Sequence, residues 1–588
     1  MSRTLFDPNP SAELTGRDLK RQMPTGDATR VRRRLGMLAF AFAIGFTALS
    51  VRTIQLSHPM DAIASISTAT AAPAMVSATR QQPFWSKRAA ITDRRGNLLA
   101  VDLPTRALMV HRRRVKDPVA LAVRLADALG ERTPDAIAER LAAGRSSVFL
   151  RRRLTPGQVA ALYEVGDPAL ELLPTVTRNY PAGSLTAHIV GFLDVEHQGR
   201  AGIERGLQEK LIGGNTDAVQ LSVDLGVQHV VRKELQASID TFSAIGGAAI
   251  VLDVDNGEVV SLVSLPDFDA NRREAVREDA FFNRATYGRY EMGSTFKAFT
   301  TAMALEIGDR RLTDGYDATH PIKFGRFTIR DHHAKARWMT VAEIFKYSSN
   351  IGAAKMAVDI GTEAQQRFLG SLGLLDRSPI ELNEVVSPQP PARWRELETM
   401  TIAFGHGLAV SPMQLASAMA AMVNGGRYVT PTLLKRGPDN PATEREIMSE
   451  ATSASLRKLL RLVVAEGTGR KAQAPGYVVG GKTGTAEKAI GRGKGYSRKR
   501  MITSFAAAFP MHAPRYVVLV VLDEPKGTKE TFGYATAGWT AAPTIGRIIP
   551  AIAPILGIMP VATDDAMVAE TLSLPANTQR RVSKNETL

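Results

Sequence analysis

Three hydrophobic patterns follow one another along this chain. The first is a single uncharged run at 35–51 (LGMLAFAFAIGFTALSV), bracketed by Arg34 and Arg52. It is slightly short for the roughly 20 residues that span a bilayer core. Thr53, Ile54 and Leu56 extend it, and Arg52 can snorkel to the interface. A buried core helix would show a polar face, and this run has none. The pattern predicts a transmembrane anchor at 35–56. Arg30, Arg32, Arg33 and Arg34 precede it, and after Arg52 no Lys or Arg occurs until Arg80. The positive-inside rule therefore places residues 1–34 in the cytoplasm as a tail and the rest outside. A cleaved signal peptide is the rival reading, but the run exceeds the usual length of such a segment.

The second pattern has no period. Residues 57–85, rich in Ala, Ser, Thr and Pro, read as a linker. Mixed sequence follows at 86–220, with helical pieces at 118–129 and 134–143 and turns at 93–97 and 180–183. From 221 the third pattern begins. Two apolar, β-branched runs, 248–254 and 258–264, are joined by Asp255-Asn256-Gly257, which marks a hairpin. A mostly helical stretch covers about 294–468, and strands return at 502–509 and 516–522. Strands around a helical insert predict an α+β fold whose antiparallel sheet is flanked by helices, over 221–545. Residues 546–588 read as a terminal helix and polar tail, with 578–588 expected to be disordered.

Composition narrows the class. A chain of 588 residues holds more than one core. Its 44% hydrophobic and 22% charged residues are those of a globular protein. The net charge is +16, but the basic clusters, such as Arg112-Arg113-Arg114 and Arg151-Arg152-Arg153, are short and carry no interleaved aromatics. That argues against nucleic acid and for a solvated basic surface. The chain has no cysteine, which excludes thiol nucleophiles, disulfides and Cys-ligated metals.

Three motifs occur in order: Ser294-Thr295-Phe296-Lys297, Ser348-Ser349-Asn350 and Lys482-Thr483-Gly484-Thr485. Ser294 begins a helical run, and Lys297 lies one turn on, on the same face. A neutral amine there can take the hydroxyl proton and make a nucleophile. For this, Lys297 must lose about three pKa units, roughly 4 kcal/mol. Burial against Phe296 and Phe299, with a second cation in Lys482, would supply it. Ser348 follows a helical run at 341–347 and can relay a proton to a leaving amine. The Asn350 amide can hold a substrate backbone. Residues 476–481 read as an edge strand leading into Lys482, Thr483, Gly484 and Thr485. Gly484 leaves room for another backbone, and an extended peptide can pair with the edge. The backbone N–H groups of Ser294 and Thr485 are candidate oxyanion donors.

Together the three motifs resemble those of class B penicillin-binding proteins, over roughly 86–545. The 93–100 segment (DRRGNLLA), Arg178-x-Tyr180-Pro181-x-Gly183, Gly202-Ile203-Glu204, Asn283-Arg284-Ala285, Gly405-x-Gly407 and Gly467-Thr468-Gly469 are also similar to the family's signatures. Met292, Ala89 and Glu487 depart from its common residues. The resemblance implies a cytoplasmic tail, one anchor in the cytoplasmic membrane, a pedestal domain at 86–220 and a periplasmic or extracytoplasmic transpeptidase domain at 221–545. The implied reaction is acyl transfer from a peptidoglycan stem peptide ending in D-Ala-D-Ala to Ser294, then to a neighbouring stem's amine. β-Lactam antibiotics would acylate the same serine. No cofactor or metal is implied. The short tail, the length and Tyr290-Glu291-x-Gly293-Ser294 resemble the division-specific branch, which implies an FtsW-type glycosyltransferase and other divisome proteins as partners. An elongation-specific role, a hydrolase and a non-catalytic divisome scaffold stay open as alternatives.

Other signals are set aside. Glu381 reads as a surface carboxylate. Residues 476–483 (GYVVGGKT) match a phosphate-loop pattern without the helix it must open. His332 and His333 are adjacent, so their side chains should diverge rather than share a metal. His406, between glycines, reads as a turn residue. Arg178 and Glu204 are expected to form a buried pair holding the two domains together.

Overall fold

A short strand, β1 (Ile91–Thr92), turns into a 14-residue one, β2 (Leu98–His111). Asp93 makes the turn: its Oδ1 accepts from the N–H groups of Arg95 and Asn97, each at 2.8 Å. Helix α1 (Pro118–Leu129) starts at an Asp117 cap with Pro at its first position and stops at Gly130, whose φ is 67°. Helix α2 (Pro134–Ala142), β3 (Ser147–Arg151), α3 (Pro156–Val165) and β4 (Leu170–Asn179) follow. Both β3 and β4 pair antiparallel with β2, and β5 (Val219–Gln220) runs parallel to β1. The apolar stripes of the helices close one core with the sheet, through Leu121, Leu125, Ile137, Leu162, Leu108 and Val110.

This computed structural model describes residues 88–575 and 578, apart from 132, 143–145, 214–216, 274–275, 326, 439, 490–494 and 563. The expected tail, anchor and linker at 1–34, 35–56 and 57–85 lie outside the described residues. Among the described residues no helix is long and apolar enough to cross a membrane.

The expected Arg178–Glu204 pair is present and larger than anticipated. Glu204, wholly buried, accepts from Arg178 Nε at 2.7 Å and Arg88 Nε at 2.5 Å, and Arg178 also reaches Asp102 at 3.1 Å. All four residues lie between 88 and 204, so the network ties this region to itself. It does not bridge to the second region, which was the role expected of the pair. Other contacts do that: Arg94 with Glu258 and Arg95 with Asp224, both at 2.7 Å, and the Tyr180 N–H donating to Asn271 Oδ1 at 3.0 Å.

The second region opens with α4 (Leu225–Phe242), then β6 (Gly246–Asp253) and β7 (Val259–Leu265), joined at Gly257, whose φ is 73°. The helical lobe contains α5 (Lys297–Glu306), α6 (Val341–Tyr347), α7 (Asn350–Ile360), α8 (Pro412–Val423) and α9 (Glu450–Glu466). Strands β8 (Gly480–Ala489), β9 (Tyr496–Phe509) and β10 (Tyr516–Asp523) then return, followed by α10 (Ala541–Ile552). The sheet order is β8-β9-β10-β6-β7, all antiparallel, which leaves β8 on an edge.

Both faces of this sheet are covered. Val517, Leu519 and Val521 join the core of the helical lobe, while Val518, Val520 and Leu522 face α4 and α10 through Leu235 and Ile545. A strand buried on both sides reads as one apolar run, as at 516–522. The helical insert differs from its expectation by three short antiparallel strand pairs, one joining residues 315–317 to 338–340. Three-residue strands are too short to impose a period. Helix α10 crosses the expected boundary at 545/546, because Ile545, Ile548, Ile549 and Ile552 share one buried face. Thr578, expected in the disordered tail, is buried, and its carbonyl accepts from Thr340 Oγ1 at 2.7 Å.

Candidate active site

Ser294 sits in a single 3-10 turn, 293–296, that runs directly into α5. The cap positions of the turn and of α5 fall on Met292 and Phe296, so Ser294 is not the cap of either. Three glycines press three backbones together here. A Cβ on Gly293, whose φ is +56°, would meet the Thr485 carbonyl oxygen at 2.5 Å. One on Gly405 would lie 2.0 Å from Gly293 O, and one on Gly484 would lie 2.2 Å from Met292 O. The backbone for which Gly484 makes room is thus the approach to the serine itself.

Lys297 is 1% exposed. Its Nζ lies 2.8 Å from Ser294 Oγ, 2.7 Å from Asn350 Oδ1, 2.9 Å from Ser348 O and 3.1 Å from Ser348 Oγ. A carbonyl and an amide oxygen accept only, so they take the two N–H groups of a neutral amine and turn its lone pair toward a hydroxyl. The aromatic ring facing Nζ belongs to Phe404, with its centroid at 6.0 Å. Phe296 and Phe299, expected to bury the lysine, stack edge to face on each other in the core.

Ser348 ends α6 in the left-handed conformation, with φ 59° and ψ 45°. This strained joint aims both its carbonyl and its hydroxyl at Lys297. The start of α7 is held by Asp331, which sequence reasoning missed. Its Oδ1 accepts from the N–H groups of Asn350 (2.6 Å) and Ile351 (3.0 Å), and its Oδ2 accepts from Ser349 Oγ (2.7 Å). Asn350 already uses both ends of its amide, since Nδ2 donates to Arg330 O at 2.9 Å. Its second N–H is the group that can meet a substrate.

Lys482 reaches the cleft from the opposite wall. The edge strand begins at Gly480, so Lys482, Thr483, Gly484 and Thr485 lie within it rather than after it. Residues 476–483 accordingly run from a turn into this strand and open no helix, so they are not a phosphate loop. Lys482 is fully buried, its Nζ donates to Ser348 Oγ at 3.0 Å, and the Phe345 ring centroid lies at 5.8 Å. Thr483 Oγ1 bonds Thr468 Oγ1 at 2.8 Å, and Thr485 Oγ1 accepts from the Ala537 N–H at 3.0 Å.

Burial is the main electrostatic force on both lysines. It pushes Lys482 down to about 7. Lys297 is held well below the ordinary ammonium range by burial first and by the Lys482 charge second, with Asp331 opposing. His406 is pushed down to about 4 by burial and by Lys297, and the flanking Gly405 and Gly407 have φ of 86° and 88°.

Two of the signals set aside read differently in space. Glu381 is a structural tie rather than a surface carboxylate: it accepts from the Leu433 N–H at 2.7 Å and from Thr432 Oγ1. The rings of His332 and His333 stand 4.7 Å apart instead of diverging. Among the described residues no cluster of metal ligands occurs.

Comparison with known proteins gives a consistent picture. Residues 247–547 match the penicillin binding protein transpeptidase domain, and residues 84–237 match the penicillin-binding protein dimerisation domain. The probable peptidoglycan D,D-transpeptidase FtsI of Caulobacter vibrioides is 40% identical over 484 residues, which is 80% of this chain and 82% of that one. The peptidoglycan D,D-transpeptidase FtsI of Escherichia coli is 28% identical, over 82% and 86% of the two chains. A crystal structure of penicillin binding protein 3 of Mycobacterium, complexed with aztreonam, shares the fold. Its TM-score is 0.64 at 24% identity, over 82% of this chain and 98% of the other.

Proposed function

Since the chain belongs to the penicillin-binding protein transpeptidase family, we infer that it is a serine D,D-transpeptidase cross-linking peptidoglycan stem peptides through an acyl-enzyme on Ser294, in septal wall synthesis. The observation that carries this is the 2.8 Å approach of the buried Lys297 Nζ to Ser294 Oγ. Lys297, neutral, takes the Ser294 proton as Oγ attacks the penultimate D-Ala carbonyl. The developing oxyanion meets the N–H groups of Ser294 and Thr485, each such donor being worth about a hundred- to a thousandfold in rate. Ser348, between the two lysines, passes a proton to the leaving D-Ala amine. Thr483, Thr485 and Lys482 receive the terminal carboxylate. The edge of β8 pairs with the extended stem. An incoming stem amine then resolves the ester, returning its proton through the same groups.

The uncharged run at 35–51, extended to 56, and the arginines before it support a single-pass anchor in the cytoplasmic membrane, with the tail inside and the catalytic domain outside. Residues 86–220 then serve as a pedestal, and septal work places the enzyme beside an FtsW-type glycosyltransferase and other divisome proteins. Mass spectrometry of the penicillin adduct tests the core of this reading. The modification is expected on Ser294 and is lost in Ser294→Ala; an adduct that survives the substitution puts the nucleophile elsewhere.

A further inference from the structure

The donor stem takes the edge of β8, so the acceptor comes to the ester from another side. Its amine retraces the path of the departed D-Ala, because the group that protonates a leaving amine takes the proton of the incoming one. Ser348 is that group, and it stands at the joint between α6 and α7. The new C–N bond forms as the bond to Ser294 Oγ breaks, and the amine's proton passes through Ser348 to that oxygen. The body of the acceptor stem therefore rests on the surface bordering Ser348.

That surface is a basic ledge. Residues 322–324 and 327–329 pair as a short hairpin. Ile329 is buried in one cluster with Ala354 of α7 and with Phe404, whose ring faces Lys297, so the hairpin leans on the wall of the cleft. The loop that follows returns to the site twice. The Arg330 carbonyl accepts from Asn350 Nδ2 at 2.9 Å, and Lys335 Nζ lies 4.7 Å from the ring centroid of Tyr347, the residue before Ser348. The side chains of Arg330, His332, His333 and Lys335 are exposed. Between 318 and 338 the sequence holds Lys323, Arg326, Arg330, Lys335 and Arg337 against a single acid, Asp331. Both oxygens of Asp331 are engaged at the start of α7. Among the described residues neither Arg330 nor Lys335 forms an ion pair, so the ledge presents positive charge that nothing on its own element balances.

Resting on the transpeptidase reading, we propose that this ledge is the subsite for the acceptor stem, and that Arg330 and Lys335 hold a free carboxylate of that stem while its side-chain amine enters past Ser348. A stem that ends in a carboxylate brings such a group with it, and the donor's own carboxylate is held on the opposite wall. Holding the acceptor raises the local concentration of its amine, which lets aminolysis outrun attack by water on the same ester.

The test loads Ser294 of the full-length protein with a thioester donor and offers two acceptors that share one side-chain amine: Nα-acetyl-lysyl-D-alanine and its C-terminal amide. The readout is the ratio of aminolysis to hydrolysis products. Every product comes from an acyl-enzyme, so loss of folded protein cancels. The wild type is expected to give a ratio about fivefold higher for the acid than for the amide. The double variant Arg330→Gln, Lys335→Gln closes that gap by lowering the acid's ratio alone. Equal ratios in the wild type overturn the proposal. So does a gap that survives in the double variant, which leaves the carboxylate with Lys482 and Thr483. A double variant that lowers both ratios equally overturns it too, since the loop then only positions Asn350. Failure of benzylpenicillin to modify Ser294 in the wild type is a separate result and refutes the transpeptidase reading itself.

Discussion

Lys297 and Lys482 reach one hydroxyl from opposite walls of the cleft, with their Nζ atoms 3.1 and 3.0 Å from Ser348 Oγ. Two full ammonium charges so close to one buried oxygen would repel strongly, so the pair favours states with fewer protons. A hydroxyl can accept from one nitrogen while donating to the other. The arrangement is therefore a short proton wire ending at the nucleophile.

The acid limb of acylation reports Lys297. Because burial and Lys482 depress its pKa, the rate of penicillin acylation is expected to hold to a lower pH than a free lysine would allow and to fall as Lys297 takes a proton. Asp331 favours that proton. Asp331→Asn keeps the helix cap and removes the charge, so the fall moves to lower pH. Acylation rates measured from roughly pH 4 to 9 decide the matter, and a limb that stays put or moves upward contradicts it.

Lys482 costs stability. Its folded pKa of about 7 lies below the unfolded 10.5, so between these values the unfolded chain binds more protons and stability rises with pH. Lys482→Met is expected to stabilise the protein by on the order of 3 kcal/mol near pH 7, an advantage that shrinks toward pH 10.5. Urea unfolding at several pH values checks the sign, and acylation should be lost at the same time.

Gly484→Ala puts a methyl group 2.2 Å from Met292 O and 2.4 Å from Ser504 Oγ. The serine turn must move away from β8. Acylation is expected to fall about a hundredfold while circular dichroism stays close to wild type.

Removing the Glu204 carboxylate takes the ion-pair partner from the buried Arg88 and leaves the buried Arg178 with Asp102 alone. Glu204→Ala is expected to lower stability by about 3–5 kcal/mol, measured by urea unfolding, and Glu204→Gln by less because its oxygen still accepts.

The sequence carried the parts of this fold that repeat locally. The 516–522 run, the Asn256-Gly257 turn and the helix at 341–347 could each be read within a few residues of their own span. The three motifs were legible too, because chemistry restricts which residues can sit at such spacings. Asp331, Phe404 and Gly405 were not. Asp331 lies in a loop with no periodicity and matters only because the chain returns to it at Ser349 and Asn350. Phe404 replaced the expected Phe296 and Phe299 because adjacency along a helix does not say which way a ring points. Arg178 and Glu204 were paired correctly, yet their role was misplaced, since a pair alone does not reveal which layers it joins.

The edge position of β8 has one more consequence. A strand left open for a guest is equally open to copies of itself, a familiar route to sticky aggregates. Here the Ser294 turn crowds the strand at Gly484, so the vacancy is a slot rather than a shelf. The narrowness that aligns the reactants also guards the enzyme against polymerising with itself.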